Sequence, residues 1–481
     1  MNIKFHTKPL LYKMVKTSFI LLLVIILCIP SELLSNEYRN NIRTNEISLV
    51  SFSNTDSEVD YFIQLITGTE SEIGVSLNYI SRNWKRSFIP MFIEIIFLNR
   101  NYETNAKFIS LLSTKTNKNF EYDIHGWYKW MWKQDIEPHA DYALFKSSLH
   151  KLTDPKFEFY FDNKYTSKID LYEIMWGGVL QDGIPPLRKP NMILANEADY
   201  LDDSNIVFGI EVNGDARAYP KRILAWHEMF VDSVGDKSVT GVYCTLCGSM
   251  ILYNNVANDM EYNLGTSGFL YRSNKLMYDK ATQSLWNTLW GEPVVGPLTD
   301  KGIELERLSV VTSTWGEWKR RHPDTQVLSL NTGYRRNYDE GFAYKEYFST
   351  DNLMFSVKET DLRLKNKAEI LGLVFPHAPG KALAVSSKFL RKKTLYDTKV
   401  KDLKMIIITD LSGAHRVYES KGLKFVNWDS QETLEDQNGI KWRLKEAFLM
   451  SEQGEKLHRL PSHNAFWFGW YSAYPHTKLI K

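Results

Sequence analysis

Leu305-Glu306-Arg307-Leu308, followed by Trp315, Trp318, Pro323 and Thr325, is a pattern that this chain carries twice. At one constant offset it recurs as Leu457-His458-Arg459-Leu460, Trp467, Trp470, Pro475 and Thr477. Farther upstream, Val207-Phe208-Gly209-Ile210 resembles Ile370-Leu371-Gly372-Leu373, and the order of the matches is kept. Internal similarity of this kind indicates duplicated structural units. We therefore predict two copies of one unit, at residues 165–335 and 366–481, joined by the polar, Tyr-rich segment 336–365.

The duplicated unit has the sequence texture of β structure. In the first copy, turn signals such as Asn213-Gly214 and Gly235-Asp236 separate short β-prone runs, among them 206–212 and 238–243. Asn-Gly between two such runs is a strong hairpin signal. The body of the chain is therefore predicted to be mostly β.

The region before the duplication has a helical pattern instead. Between about Asp60 and Ser148, apolar residues recur at helical spacing, for example Phe62, Leu65 and Ile66. We predict a helical domain at 36–155. The fold class is therefore α+β, an N-terminal helical domain followed by an internally duplicated, mostly β body.

The N-terminus has the order of a secretory signal peptide: basic residues, a short apolar run and a polar stretch. Lysines precede the apolar run 19–29, and the polar stretch begins at Ser35-Asn36. The run is shorter than the ~20 apolar residues that a comfortable membrane span needs. We interpret residues 1–35 as a signal peptide or an uncleaved anchor, so the body is expected to be extracytoplasmic, either periplasmic or secreted. Membrane contact is expected only through this segment.

The composition argues against one class of partner. The 481 residues include 59 Lys and Arg against 57 Asp and Glu, and no block of like charge stands out. The electrostatic footprint of a nucleic-acid-binding protein is therefore not supported. A hydrophobic content of 43% is enough for full cores, so extended disorder is not expected either.

Two of the three cysteines lie three positions apart, in Tyr243-Cys244-Thr245-Leu246-Cys247-Gly248. The third, Cys28, belongs to the N-terminal segment. In the second copy the place of Cys244 falls near Asp410 and that of Cys247 near Ser412. Positions shared by both copies reflect what the fold requires, so a reactive residue found in one copy indicates a site. The first copy therefore holds the candidate chemistry.

The flanking sequence predicts that the cysteines lie on a tight turn between two strands. A Cys-x-x-Cys-Gly turn of this kind has the shape of a metal knuckle, and a structural zinc site needs four ligands. Cysteine with histidine or methionine also suits Cu(I). The candidates for further ligands are His227, Glu228, Met250, Asp279 and His322. His227 is the main one, because it lies next to Glu228 and just before the cysteine strand. We predict a metal site of Cys244, Cys247 and His227, with copper or zinc as the candidate cofactor.

Other residues complete the candidate site. Cys244, Cys247, His227 and Glu228 are the candidate catalytic residues. Gly265-Thr266-Ser267-Gly268 is a glycine-rich loop in our interpretation, although it matches neither a phosphate loop nor a nucleophile elbow. Its backbone N–H groups and Arg272 are predicted to bind a ligand, with Arg272 holding an anion.

Eight motifs in a fixed order resemble one known family. They are Asp182-Gly183-Ile184-Pro185, Arg217-Ala218-Tyr219-Pro220, Ala225-Trp226-His227-Glu228, Tyr243-Cys244-Thr245-Leu246-Cys247-Gly248, Gly265-Thr266-Ser267-Gly268, Leu276-Met277-Tyr278-Asp279, Ser284-Leu285-Trp286 and His322-Pro323-Asp324-Thr325. Over about residues 165–480 the chain resembles the family called domain of unknown function 3179, which comprises secreted or anchored prokaryotic proteins. The resemblance brings no established activity. Members commonly have Pro where this chain has Thr245, and some have Thr in place of the second cysteine, which implies that Cys244 matters more than Cys247.

Three hypotheses of function remain open from the sequence. The first is a metal-binding or metal-dependent redox protein. The second is a thiol–disulfide oxidoreductase acting on secreted partners, although no helix follows the pair to lower the thiol pKa as in thioredoxin-like enzymes. The third is a non-catalytic module that binds a ligand or a protein and in which the cysteines only close a turn.

Overall fold

The computed structural model describes residues 57–375 and 382–481. The predicted signal peptide or anchor at 1–35 lies outside them, as does 36–56 of the predicted helical domain. Within the described residues, no helix combines the length and the apolar character that crossing a membrane requires. Tyr61–Lys481 form one compact unit.

Helices come first in the described chain, as the apolar spacing predicts. Within residues 57–160 the α-helices are α1 (Glu58–Thr67), α2 (Glu70–Arg82), α3 (Ile89–Leu98), α4 (Tyr102–Thr116), α5 (Ile124–Met131) and α6 (Tyr142–Lys151). Short 3-10 helices lie at Arg86–Phe88, Pro155–Phe159, Leu171–Glu173 and Ala195–Glu197.

Helix α3 is the centre of this helical region, because every residue from Ile89 to Ile96 is buried. The one carboxylate on that stretch, Glu94, accepts hydrogen bonds from Tyr142 and His150, each 2.7 Å long, and pairs with Lys146. A buried charge is tolerated only when it is paired and hydrogen-bonded in this way. These contacts tie α6 to α3.

The strands of the first copy follow. They are β1 (Ile174–Trp176), β2 (Leu187–Arg188), β3 (Met192–Leu194), β4 (Ile206–Val212), β5 (Asp215–Pro220), β6 (Met229–Val234), β7 (Lys237–Cys244), β8 (Ser249–Asn254), β9 (Val256–Ala257), β10 (Met260–Glu261), β11 (Leu264–Tyr271), β12 (Asn274–Asp279), β13 (Leu285–Asn287), β14 (Glu292–Val295), β15 (Arg307–Leu308), β16 (Val311–Thr314) and β17 (Gln326–Leu328), with helices α7 (Lys221–His227) and α8 (Trp315–Arg321). They build the sheets β1-β11-β12-β13-β14, β15-β8-β7-β6-β2 and β16-β4-β5-β17-β3, and the ribbon β10-β9. The predicted hairpin at Asn213-Gly214 is confirmed, since β4 and β5 pair across it.

The second copy is also mostly strands. After the short helix α9 (Lys345–Phe348) come β18 (Glu369–Val374), β19 (Ala382–Ser386), α10 (Ser387–Lys392), β20 (Leu395–Val400), β21 (Leu403–Thr409), β22 (His415–Glu419), β23 (Phe425–Trp428), β24 (Thr433–Asp436), β25 (Lys441–Leu444), β26 (Phe448–Ser451), β27 (Lys456–His458), β28 (His463–Phe466), α11 (Trp467–Ala473) and β29 (Lys478–Ile480). Their sheets are β28-β18-β19-β29, β20-β21-β22 and β23-β24-β25-β26-β27.

The two copies share one topology, which confirms the duplication and the α+β fold class. The order β16-β4-β5-β17 in the first copy corresponds to β28-β18-β19-β29 in the second. In both, the first three strands are antiparallel and the last runs parallel to its neighbour. The antiparallel set β6-β7-β8 corresponds likewise to β20-β21-β22.

The repeated sequence pattern has a packing cause. In each copy a tryptophan of the pattern donates its indole N–H to the threonine hydroxyl seven positions later, at 3.0 Å in both cases. An ideal Cβ on the glycine that faces the ring would lie 2.2 Å from it, so the ring requires glycine there. These residues are Trp318, Thr325 and Gly209 in the first copy and Trp470, Thr477 and Gly372 in the second.

The copies exchange equivalent contacts. The end of β28 reaches the cysteine turn of the first copy, where the Phe466 N–H donates to the Cys247 carbonyl at 2.7 Å. The end of β16 reaches the corresponding turn of the second copy, where the Ser313 and Ser412 hydroxyls are 3.2 Å apart. The second copy therefore covers one side of the cysteine turn, and the first copy covers one side of the corresponding turn, which lacks cysteines.

Candidate functional site

The cysteine pair lies on a turn between β7 and β8, which confirms the predicted local structure. Cys244 ends β7 and pairs with Ser249, the first residue of β8. The Cys247 N–H donates to the Cys244 carbonyl at 3.2 Å and closes the turn. Gly248 has a φ of +58°, in the left-handed region that favours glycine. The glycine after the second cysteine is therefore part of the turn geometry.

The two thiols are free and buried, with Cys244 3% and Cys247 0% exposed. Their Sγ atoms are 2.7 Å apart. Burial disfavours the Cys244 thiolate, but hydrogen bonds from the Cys247 thiol and from the backbone N–H groups of Lys275 and Cys247 outweigh it and lower the pKa of Cys244. Burial, together with the neighbouring Cys244, raises the pKa of Cys247 well above its ordinary value. Cys244 is therefore the more acidic thiol and Cys247 its protonated partner.

A buried ion pair adjoins the sulfurs. The Lys275 ammonium contacts one oxygen of the Glu228 carboxylate, and the Thr245 hydroxyl, from between the two cysteines, donates to the other. Glu228 and Lys275 are 5% and 6% exposed. Glu228 is the residue that caps the C-terminus of α7, and its φ of +55° is in the left-handed region. This conformation redirects the chain from α7 towards β6. Since a buried pair repays its desolvation only while both partners are present, these two residues depend on each other.

Lys275 is a site residue that the sequence reasoning missed. It is the second residue of β12, a strand whose six residues are all buried. A lone lysine inside an otherwise buried strand is a rare arrangement, because lysine is almost never fully buried unless it is paired. The signal that could have found it is the isolated charge directly before Leu276-Met277-Tyr278.

The structure does not join His227 to the cysteines as a third ligand. His227 Nδ1 is 2.9 Å from the Pro185 carbonyl, and Nε2 is 2.6 Å from the Tyr338 hydroxyl. A carbonyl only accepts, so Nδ1 carries the hydrogen and Nε2 accepts from Tyr338. Burial lowers the pKa of His227 to about 4, so the ring is neutral at neutral pH. Both nitrogens are used by neighbours, and the predicted set of Cys244, Cys247 and His227 is not assembled.

The described residues offer no larger ligand group. Within 57–375 and 382–481, no cluster of three or more His, Cys, Asp or Glu side chains is arranged to hold a metal ion. Of the predicted ligands, only the two cysteines are together. Because a structural zinc site needs four ligands, a structural zinc ion on this pair would need partners beyond the predicted histidine.

The glycine-rich segment 265–268 is part of strand β11 and not a loop, so that expectation is wrong. Its polar groups serve the fold: the Thr266 N–H donates to the Asp182 carboxylate at 3.0 Å, and the Ser267 hydroxyl donates to the Leu276 carbonyl at 2.6 Å. An ideal Cβ on Gly265 would lie 2.7 Å from an Asp182 oxygen. The glycines therefore allow the loop that contains Asp182 to pack closely against β11. These contacts give no support to the predicted ligand-binding role of the segment.

Arg272 is also engaged within the protein. Its guanidinium pairs with Glu173, with one nitrogen 3.2 Å from the carboxylate, and it also donates to the Ser472 carbonyl at 3.3 Å. Glu173 is itself buried. The anion that Arg272 was predicted to hold is therefore an internal carboxylate.

Residues 332–350, which we call the tyrosine strap, lie over the cysteine turn. The sequence predicts only a joining segment for most of this stretch, and its richness in tyrosine was the available signal. Three of its hydroxyls bond to groups of the site. They are Tyr338 to His227 Nε2 (2.6 Å), Tyr344 to Glu228 Oε1 (3.4 Å) and Tyr347 to the Leu246 carbonyl (2.8 Å).

The corresponding turn of the second copy holds charges instead of thiols. The Ser412 hydroxyl donates to Asp410 at 2.6 Å, and Arg416 donates to the same carboxylate at 2.7 Å. Arg416 and Arg459 each lie 2.8 Å from Glu446. Burial opposes ionisation of Glu446, yet these arginines hold its pKa well below the ordinary value. This turn is closed by ion pairs and carries no thiol.

The chain is thus an internally duplicated, β-rich protein with a buried, asymmetric cysteine pair on one of two equivalent turns. The model of the family described as "Protein of unknown function (DUF3179)" matches residues 181–477. The chain belongs to that family, as its motifs indicate. No curated protein and no solved structure matches it. The match contains both cysteines and begins after the helical region.

Proposed function

We propose that the protein is a thiol–disulfide oxidoreductase in which Cys244 and Cys247 alternate between a dithiol and an intramolecular disulfide. One observation carries this proposal: two free sulfurs 2.7 Å apart, on a tight turn, with opposite pKa shifts. Thiol–disulfide exchange requires a thiolate that attacks and a second thiol that resolves the mixed disulfide. Cys244 supports the first role and Cys247 the second.

The electrons balance in two exchanges. The Cys244 thiolate attacks a substrate disulfide, a mixed disulfide forms, and the other substrate sulfur leaves as a thiolate. Cys247 then loses its proton, attacks Cys244 Sγ and releases the second substrate thiolate. The substrate gains two electrons and the cysteine pair loses two, and an external dithiol restores the pair by the same route. In the opposite direction the disulfide form oxidises a substrate dithiol.

We propose that the ion pair of Glu228 and Lys275 sets the charge around the two thiols, while the proton that Cys247 loses passes to the substrate thiolate that is released. The Glu228 carboxylate accepts from Thr245, the residue after Cys244, and is held by Lys275. Its negative charge raises the pKa of both thiols, and the Lys275 ammonium lowers that of Cys247. Lys275, whose backbone N–H also faces Cys244 Sγ, links the ion pair to the nucleophile.

An extracytoplasmic location belongs to the same proposal, because disulfides form and persist in oxidising compartments. It rests on the basic and apolar order of the N-terminal residues. Fractionation of cells that carry the tagged full-length chain tests it, and recovery in the cytoplasmic fraction would contradict it.

Redox equilibration tests the chemistry. The full-length chain is equilibrated in glutathione buffers, trapped with an alkylating reagent and weighed by mass spectrometry. We expect a reversible bond between Cys244 and Cys247 with a potential above about −300 mV, the range below which structural disulfides lie. Cys247→Ser should retain a glutathione adduct at Cys244, whereas the matched Cys244→Ser should retain none. A pair that never oxidises, or a bond that resists mild dithiol, would exclude the proposal.

Metal binding or metal-dependent redox chemistry at the same sulfurs is a second candidate. It is favoured by the backbone N–H groups of Cys247 and Lys275 that face Cys244 Sγ, an arrangement expected of a metal knuckle. It predicts copper or zinc at a stoichiometry near one in protein purified from its native compartment, and loss of that metal in Cys244→Ser. Substoichiometric metal in a folded chain would contradict it. If Cys244→Ser changes neither redox behaviour nor metal content, a non-catalytic binding module is favoured.

A further inference from the structure

The cysteine turn is closed to a substrate in this structure. Cys244 is 3% exposed and Cys247 is 0% exposed, so a disulfide or any other reactant has no path to either sulfur. On one side the cover is the second copy, since an ideal Cβ on Gly469 would lie 3.0 Å from Cys247 Cβ. On another side it is the tyrosine strap, through the Tyr347 hydroxyl and the Leu246 carbonyl.

The second copy shows how open this turn is without a strap. Leu246, between the cysteines, is 7% exposed, whereas Leu411, in the corresponding turn, is 70% exposed. The two turns join corresponding strands, β7 to β8 in the first copy and β21 to β22 in the second. Each turn also contacts the end of a strand of the other copy, β28 or β16. The duplicated fold therefore leaves the turn accessible, and the strap accounts for the burial of Leu246.

The strap has the construction of a movable segment. None of its residues, all of which the structure describes, belongs to a strand, and its regular structure is the four-residue helix α9. Gly333 and Gly341 have φ values of +81° and +71°, with no atom within 4 Å of an ideal Cβ. Tyr344 has a φ of +58°, a strained conformation for a bulky residue, at the position where its hydroxyl meets Glu228. The closed arrangement is held by side-chain hydrogen bonds to the strap backbone, such as that of the Trp226 indole to the Asn337 carbonyl at 2.6 Å and that of Lys367 to the Thr350 carbonyl at 2.7 Å, and it stores backbone strain at Tyr344.

We propose that the tyrosine strap is a lid that controls access of the substrate to Cys244 and Cys247. The strap opens at Gly341, releases the Tyr344 and Tyr347 hydroxyls, which follow this glycine in the chain, and exposes the Leu246 turn as Leu411 is already exposed. The inference rests on the proposed function only for the identity of what enters. The physical claim, that the turn is closed by the strap and opens with it, is independent of the cysteine chemistry.

A pair of reporter cysteines tests the lid without the native thiols. In a full-length chain with Cys28, Cys244 and Cys247 replaced by serine, Leu246→Cys and Leu411→Cys are made separately, and their rates of reaction with a maleimide are compared. We expect the reporter at 411 to react rapidly and the one at 246 to react slowly, with a rate set by opening of the strap. Adding Tyr347→Phe should raise the rate at 246 about fivefold, the effect of losing one hydrogen bond of about 1 kcal/mol, and leave the rate at 411 unchanged.

The matched control is Tyr334→Phe, which removes the hydroxyl of an exposed tyrosine on the same strap and should leave both rates unchanged. Equal rates for the two reporters, or a rate at 246 that ignores Tyr347→Phe, would overturn the lid. Redox titration of the native pair is a separate measurement, so the lid can fail while the oxidoreductase stands, and the reverse.

Hydrogen exchange on the unsubstituted, reduced chain keeps the proposal testable if the serine background does not fold. Amides of the strap between 333 and 344 should exchange orders of magnitude faster than those of β7, which is bonded on both sides. Equal protection of the strap and of β7 would overturn the lid.

Discussion

The cysteine turn of the first copy and the Asp410 turn of the second have the same place in the fold and opposite contents. Cys244 is the last residue of β7, and Asp410 directly follows the corresponding strand β21. Each turn is covered by the end of a strand of the other copy, β28 over the cysteine turn and β16 over the Asp410 turn. One turn carries two thiols beside a single ion pair, and the other carries a network centred on Arg416 and Glu446. The fold therefore tolerates several chemistries at this turn.

The difference assigns different tasks to the two turns. Around Asp410 every acidic group described is matched by an arginine, a pattern that ties elements together and brings no thiol to the turn. Around Cys244 the two thiols lie beside the single ion pair of Lys275 and Glu228 and beneath the tyrosine strap. We infer that the second turn serves stability and the first serves chemistry, and the predictions below test that division.

The largest effect is expected from Glu446→Gln. The change leaves Arg459 without its buried counter-charge and leaves Arg416 with Asp410 alone, and breaking a buried ion pair costs about 3–5 kcal/mol. Denaturant unfolding measures the loss of free energy of unfolding. The exposed pair of Glu369 and Arg391 provides the control, and Glu369→Gln should cost less than about 1 kcal/mol.

The same glutamate predicts a pH dependence. Its folded-state pKa is lowered, so its stabilisation is complete above the ordinary carboxyl pKa and is lost as the pH falls through the folded-state value. The free energy of unfolding of the unsubstituted chain should therefore fall on acidification below about pH 4.5, the ordinary value for the group. Glu446→Gln should fall less steeply, and parallel curves would contradict this account.

Next in size are the two glycines that face the tryptophans. Gly209→Ala and Gly372→Ala each place a Cβ 2.2 Å from an indole ring, and such overpacking costs about 1–3 kcal/mol or more. If both variants lose a similar amount of free energy of unfolding, measured by thermal or denaturant unfolding, this part of the fold is equivalent in the two copies. Gly74→Ala, in helix α2 with no atom within 4 Å, should instead stabilise the chain slightly. A loss in only one copy would contradict the equivalence.

These tryptophan sites also show why much of the fold could be predicted. Trp318 and Thr325 are seven residues apart, and Gly209 lies in a second repeated segment. The residues that make this contact therefore occur twice in the sequence at matching positions. The hairpin at Asn213-Gly214 is set by residues next to one another and was equally visible. Local and repeated causes can be recognised without a structure.

The site was less predictable because its contacts join distant residues. Lys275 meets Glu228, and Tyr347 meets Leu246 a hundred residues away, without any repeat to mark either contact. The contacts of His227 could not be predicted for the same reason, since its partner Tyr338 comes from the strap. The cysteine pair itself was visible as a local spacing, and its absence from the second copy marked it as a candidate site.

A moderate effect is expected at Glu228. Its negative charge raises the pKa of Cys244, so Glu228→Gln should lower that pKa. Thiolate absorbance at 240 nm, followed against pH in the reduced protein, measures the shift. Glu306→Gln, at an exposed carboxylate, should leave the titration unchanged. An unchanged or raised pKa in Glu228→Gln would mean that this carboxylate does not act on the nucleophile.

The smallest change in stability is expected from Cys244→Ser, although it removes the proposed chemistry entirely. The backbone N–H groups of Cys247 and Lys275 that face the sulfur can donate to a hydroxyl oxygen in its place. The second copy already folds with oxygen-bearing side chains, Asp410 and Ser412, at the corresponding turn. Under reducing conditions the free energy of unfolding should therefore change by less than about 1 kcal/mol, well below the cost of Glu446→Gln. A loss as large as that of Glu446→Gln would show that the thiols hold the turn together, and the division between a stabilising turn and a reactive one would fail.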